Sequence, residues 1–145
     1  VDSVRTAYHI PVYAAEAEKE TMQDASINLS INMGGAMLSV EADHWLKDGE
    51  TITLLDQEVR CILTPGHTVG GMCFYFPKAG MLFSGDTLFQ ESVGRTDFPG
   101  GSMSEIVRSI REKLFVLPDA VQVYPGHGLM TSIKNEKMFN PFAVE

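Results

Sequence analysis

Cysteine is scarce: Cys61 and Cys73 are the only two among 145 residues. Two cysteines cannot make a disulfide framework, and both sit in apolar, strand-like runs. Reduced, buried thiols in a cytoplasmic protein are therefore expected. Positive charge is scarce too, with 11 Lys and Arg against 19 Asp and Glu, a net charge of −8. That balance argues against a nucleic-acid backbone or an anionic membrane as partner. No apolar run approaches the ~18 residues of a membrane span, and the first residues do not read as a signal peptide. Internal repeats, low-complexity stretches and linkers are also missing. Val1 stands where a Met would begin a chain, in what reads as the tail of a helix running to Tyr8.

What is present reads as globular, with 44% hydrophobic and 21% charged residues. A chain of this length suits one domain and can bury roughly 68–70% of its unfolded surface. Ile10–Ala14 is a short β-rich run, and Glu16–Met22 reads as helical, its charges a solvated face. Residues Asp24–Met37 read as a broken helix or long connection. From Glu50 the pattern is β, with strands expected at Glu58–Leu63, Gly71–Phe76, Ala79–Phe83 and Val121–Tyr124. Ser102–Leu117 is the clearest helix. Ser102 and Glu105 have capping-box spacing, and Ile106, Ile110 and Leu114 make one apolar stripe before Pro118 stops it. A last helix is expected over Ser132–Phe139. Strands interleaved with helices point to an α/β or α+β sandwich. The eight methionines, Met22, Met33, Met37, Met72 and Met81 among them, read as core gap-fillers; a hydrophobic substrate groove is the alternative.

Three segments share one design. In each, an apolar strand runs into a Gly-rich turn that carries one metal-capable residue. They are Leu63-Thr-Pro-Gly-His67-Thr-Val-Gly-Gly71, Phe83-Ser-Gly-Asp86-Thr-Leu-Phe89 and Tyr124-Pro-Gly-His127-Gly128. Pro and Gly fix sharp turns and let the backbone pass close to a ligand. A strand rim is a rigid platform on which such side chains can converge. His, Asp and His all suit zinc and similar metals. Singly, each is more often a plain turn; three in one short chain are harder to read that way.

Together with Gly94-Arg-Thr-Asp97, these segments closely resemble the metallo-β-lactamase superfamily, and within it the short glyoxalase II-like hydrolases. The resemblance runs from Val1 to Phe142, with the four motifs in the expected order. It implies an αβ/βα sandwich with a dinuclear metal site at one rim of two sheets. His67 would ligate one metal and His127 the other, with Asp86 bridging both. The implied cofactors are two divalent ions, zinc first, with iron or manganese as alternatives. The implied chemistry is attack of a metal-bridging hydroxide on a thioester carbonyl. Arg95 would hold a substrate carboxylate through its bidentate fork; the other reading is an Arg95–Asp97 pair that only shapes the loop.

The family's His-x-His-x-Asp-His motif is not found. Only His9, His44, His67 and His127 are available. His44 follows Asp43, but Ser39 and Glu41 fill the upstream histidine positions, so His9 and His44 read as ordinary surface or half-buried residues. In the family, a segment like Val1–Tyr8 follows the missing motif. The resemblance thus implies a single metallo-β-lactamase-like domain over 1–145 that lacks its N-terminal strands and half its ligands. Each metal would keep one histidine and the shared Asp86, short of the three protein ligands zinc usually takes. Weak or absent metal binding and no activity are expected of this chain alone. Exposed edges would favour a homo-oligomer or strand-swapped dimer. The chain also stops 18 residues past His127, without the helical glutathione-binding domain of larger thioester hydrolases. Another low-molecular-weight thiol is therefore an alternative carrier.

Two rival functions stand beside the hydrolase. One is an iron-dependent persulfide dioxygenase, whose single iron would leave the Pro-Gly-His127 segment unexplained. The other is a non-catalytic module that has lost its site. Nuclease and β-lactamase activities are less expected, because a net charge of −8 suits polyanions poorly and no secretion signal is visible.

Overall fold

The computed structural model describes residues 1–28 and 39–143. Met33 and Met37, and most of the connection expected over Asp24–Met37, lie outside the described residues. The chain divides into two compact units, Val1–Lys47 and Asp48–Glu145. Among the described residues no helix is long and apolar enough to cross a membrane.

In the first unit, α1 (Asp2–Tyr8) ends on His9, which takes a left-handed conformation at φ 51°. Strand β1 (Tyr13–Ala15) pairs in parallel with β2 (His44–Leu46). The helix expected over Glu16–Met22 is split. A 3₁₀ turn at Glu16–Glu18 precedes the short α2 (Lys19–Gln23). Asp43 closes the strand pair, its carboxylate accepting from the Val12 amide at 2.7 Å. Arg5 reaches the same carboxylate at 3.6 Å and also donates to the Glu41 carbonyl. His44 is exposed and stacks on Tyr13 with ring centroids 4.5 Å apart, as fits an ordinary surface histidine.

The second unit is built on a six-stranded sheet of order β10-β9-β6-β5-β4-β3. Its members are β3 (Thr51–Leu54), β4 (Gln57–Leu63), β5 (Met72–Phe76), β6 (Met81–Gly85), β9 (Gln122–Pro125) and β10 (Thr131–Ser132). Leu55 and Asp56 both sit at positive φ (52° and 58°), the type I′ turn that suits a two-residue hairpin between β3 and β4. A two-stranded hairpin, β7 (Leu88–Phe89) and β8 (Ser92–Val93), stands apart from the large sheet. Strands β4 and β5 are antiparallel, as are β5 and β6, whereas β6 and β9 are parallel. So β4, β6 and β9 all run in one direction and end at one edge of the sheet.

One face of this sheet makes the core. Cys73, Leu82 and Val123 pack with Ile106, Ile110 and Leu114, all at 0% exposure. Register explains the two free thiols. Cys73 lies opposite Ile62 and Cys61 opposite Phe74, so the cysteines point to opposite faces. Burial pushes the Cys73 thiol up to about 11, against the lowering effect of hydrogen bonds with Thr64 and Thr87.

The expected helix over Ser102–Leu117 is shorter and less regular than its pattern suggests. α3 covers Met103–Ser109 and then widens into a π turn over Ile110–Leu114, with the Phe115 amide bonded to the Ile110 carbonyl at 2.8 Å. The capping box is only half formed. Ser102 Oγ accepts from the Glu105 amide at 3.3 Å, but the Ser102 amide goes to the Gly66 carbonyl and the Glu105 side chain faces Arg108. The last helix, α4 (Ile133–Phe139), starts one residue after its expected boundary, capped by Ser132.

The apolar stripe sets the stability. Ile110→Ala should lower the unfolding free energy by about 3 kcal/mol, read as a lower urea midpoint at unchanged slope. A loss below about 1 kcal/mol would show that this helix is not packed as described.

Candidate active site

His67, Asp86 and His127 lie four, one and two residues past the ends of β4 (Leu63), β6 (Gly85) and β9 (Pro125), the three strands that end at the same edge. The sheet therefore brings together residues 60 positions apart. All three line one cavity of about 530 Å³, with Phe89, Ser92, Val93, Gly94, Arg95 and Phe98. That volume suits a small molecule. His9 and His44 are not among its lining residues.

Asp86 lies between the two histidines. Its Oδ2 is 3.7 Å from His67 Nε2, and its Oδ1 is 2.7 Å from His127 Nδ1. Each carboxylate oxygen thus faces a different imidazole. His67 is oriented from behind, its Nδ1 lying 2.8 Å from the Arg95 carbonyl. A carbonyl only accepts, so Nδ1 carries a proton, and Nε2 is the nitrogen turned toward Asp86. Both histidine rings meet an aromatic in a T-shaped contact, His67 with Phe98 at 5.6 Å and His127 with Phe89 at 6.1 Å between centroids. His67 is mostly covered, with 20% of its side chain exposed, while His127 stands open at 77%.

The turns that carry these side chains are fixed by buried polar contacts. Thr64 and Thr87, both fully or almost fully buried, join hydroxyl to hydroxyl at 2.9 Å. That contact ties the turn bearing His67 to the turn bearing Asp86. Ser109 of α3 donates to the Pro65 carbonyl at 3.0 Å. Two glycines permit the close approach to Asp86. A Cβ at Gly94 would meet the Asp86 carbonyl oxygen at 1.8 Å, and one at Gly126 would meet Asp86 Oδ1 at 2.8 Å.

Arg95 donates to both Asp97 oxygens, at 2.7 and 2.6 Å, and lies 4.3 Å over the Phe98 ring. The pair that shapes the loop is therefore formed, and Arg95 also lines the cavity. Sequence reasoning did not assign Phe89, Ser92, Val93, Gly94 or Phe98 to the site. Gly94 and Phe89 stood within quoted motifs, whereas Phe98 carried no local signal.

Three comparisons bear on this arrangement. A family model described as the metallo-beta-lactamase superfamily matches residues 1–127. The chain belongs to the metallo-beta-lactamase superfamily. A probable metallo-hydrolase of Bacillus subtilis, YqgX, is 37% identical over 143 residues, which are 98% of this chain and 68% of that protein. The hydroxyacylglutathione hydrolase GloC of Haemophilus influenzae is 41% identical over 101 residues, 69% of this chain and 48% of that protein. The crystal structure of the B3 metallo-beta-lactamase BLEG-1 superposes with a TM-score of 0.90 at 37% identity, covering 99% of this chain and 70% of that one. The mixed α/β fold is thus that of the superfamily, and the chain spans about two thirds of YqgX.

Metallo-beta-lactamase superfamily members generally hold two divalent ions, and the donor set tests whether this chain suits them. In kind it does: two imidazoles share one carboxylate, and His67 has its second nitrogen engaged by a carbonyl, as metal-binding histidines usually do. In number it is sparse. Among the described residues no group of three His, Cys, Asp or Glu is placed to hold one ion. The three donors instead form two His–Asp pairs with Asp86 in common.

Two outcomes follow. Gly94→Ala should force the β8 strand away from Asp86 and cost about 3 kcal/mol, measured by denaturant unfolding. The second concerns pH. The Arg95 hydrogen bond, above all, holds the Asp97 carboxyl down at about 2. A depressed carboxyl pKa gives order that is complete above its unfolded value of about 3.9 and is lost as pH falls toward 2. NMR of the Arg95 Nε–H should show the pair intact at pH 4 and opening near pH 2; opening already at pH 4 would contradict this.

Proposed function

We propose that this chain carries part of the active site of a metal-dependent thioester hydrolase of glyoxalase II type. The observation that carries the reading is the Asp86 carboxylate, with one oxygen toward each of two histidines. His67 and His127 would each hold one divalent ion, zinc being the first choice, and Asp86 would be shared. When bound, such ions supply Lewis acidity and water that ionises near neutral pH. The chain's own residues do the rest. The Arg95 carbonyl fixes the His67 tautomer, Phe89 and Phe98 wall the cavity, and Arg95 receives a substrate carboxylate on the side that Asp97 does not use. The similarity to a hydroxyacylglutathione hydrolase supports a thioester substrate.

The position of His127 favours this reading over an iron-dependent dioxygenase, because a single-ion site would leave that imidazole without a ligand's role. One histidine and a shared carboxylate per ion are fewer protein ligands than zinc usually takes. The 145-residue chain by itself should therefore bind metal weakly and turn over poorly, with further donors coming from outside it. A small thioester is the proposed partner, with neither nucleic acid nor membrane. Association with a second copy would be one way to complete the site.

The test uses the full-length protein loaded with zinc, assayed on a hydroxyacyl thioester of glutathione and of a second small thiol. Asp86→Ala should lower kcat by more than about 100-fold, above the loss typical of residues behind a metal ligand. Metal analysis should return two ions per chain. Wild-type turnover in Asp86→Ala would refute the reading. So would a single iron with oxygen uptake on a persulfide, or faster hydrolysis of a β-lactam than of either thioester.

A further inference from the structure

Glu136 is an acidic side chain with 0% exposure, on α4 and outside the cavity. A buried carboxylate is tolerated only when its oxygens are well supplied with donors. Four neutral donors supply it. Thr131 Oγ1 and Asn135 Nδ2 reach Oε1 at 2.5 and 2.9 Å. The Glu91 amide and Asn140 Nδ2 both reach Oε2 at 2.9 Å. Two of these contacts are local to the β10–α4 segment and to α4 itself. Asn140 is the next turn of the same segment, but it also donates to the Ser92 carbonyl at 3.0 Å. The Glu91 amide belongs to the β7–β8 turn, 45 residues earlier.

That turn is strained. Glu91 holds φ 51°, which a non-glycine residue adopts only when its surroundings fix it. The hairpin it closes forms one wall of the cavity through Phe89, Ser92 and Val93. Phe89 sets its ring against His127 edge to face, at 83°. The chain of contacts therefore runs from Glu136 to the Glu91 amide, along the hairpin to Phe89, and on to His127.

We propose that Glu136 is a positioning residue that clamps the β7–β8 hairpin and thereby, through Phe89, acts with the Asp86 contact to orient His127. The clamp does not depend on metal, substrate or the thioester reading. Both Glu136 oxygens are used. A Gln could turn its NH2 toward the Thr131 hydroxyl and keep the Glu91 contact, so the informative variant is Glu136→Leu, which removes both acceptors and keeps an apolar side chain of similar length.

Hydrogen exchange and NMR on the metal-free protein test this. In the wild type, the Glu91 amide should exchange at least about 100-fold slower than an open loop amide. Glu136→Leu should lower that protection about tenfold or more while Leu82 and Val123 keep theirs. The His127 ring signals, displaced by Phe89, should move, and those of His67 beside Phe98 should not. An unchanged Glu91 amide with unchanged His127 signals overturns the proposal. Equal loss of protection at Glu91, Leu82 and Val123 also overturns it, since Glu136 would then be a general stabiliser. If Glu136→Leu does not fold, the wild type decides: a Glu91 amide protected at least about 100-fold supports the clamp, and one that exchanges like an open loop amide overturns it.

Discussion

The shared direction of β4, β6 and β9 is the constraint on which the candidate site depends. A strand ends in a turn, and whichever side chain follows projects from that edge of the sheet. Because β5 is antiparallel to both β4 and β6, and β9 is parallel to β6, three ends coincide. Without this alignment, a Pro-Gly-His turn and a Ser-Gly-Asp turn would be ordinary loops. With it, one carboxylate lies between two imidazoles.

Alignment delivers the side chains only to within a few ångströms. Closer placement comes from contacts beneath the rim. Glycine at 94 and 126 lets two backbone segments touch Asp86. The Thr64–Thr87 contact fixes the separation of the turns that carry His67 and Asp86. Glu136 and Asn140 tether the hairpin on the far side. The glycines act by leaving room, and the polar contacts are buried or set against backbone, so each is satisfied in one arrangement only. The open side of the site differs: His127 and Arg95 are exposed there, where a ligand would enter.

Much of this was legible in the sequence, for identifiable reasons. The strand-turn segments carrying His67, Asp86 and His127 stood out because Pro and Gly mark turns and the residues after them are few in kind. The α3 stripe of Ile106, Ile110 and Leu114 was legible because burial imposes its spacing. Other features were not. Glu136 looks like any helix glutamate, and only the fold shows that it meets the Glu91 amide. The reciprocal half of the capping box failed because the Ser102 amide had a tertiary partner in Gly66, which no local pattern reveals. The π turn likewise leaves no mark in a four-residue repeat.

Arg95 shows why two readings of one residue need not compete. Its pair with Asp97 is exposed, and exposed ion pairs add little stability because water screens them. The pair acts instead on geometry. With the guanidinium held by Asp97 and stacked on Phe98, the backbone at 95 has little freedom, and its carbonyl is the group that orients His67. Loop shaping is therefore already a contribution to the site, made through the main chain. A carboxylate held by the remaining side of the same guanidinium would add to that role without disturbing it. A Lys at 95 could supply charge but neither the fork nor the stack, so it would loosen His67 even if it still attracted an anion.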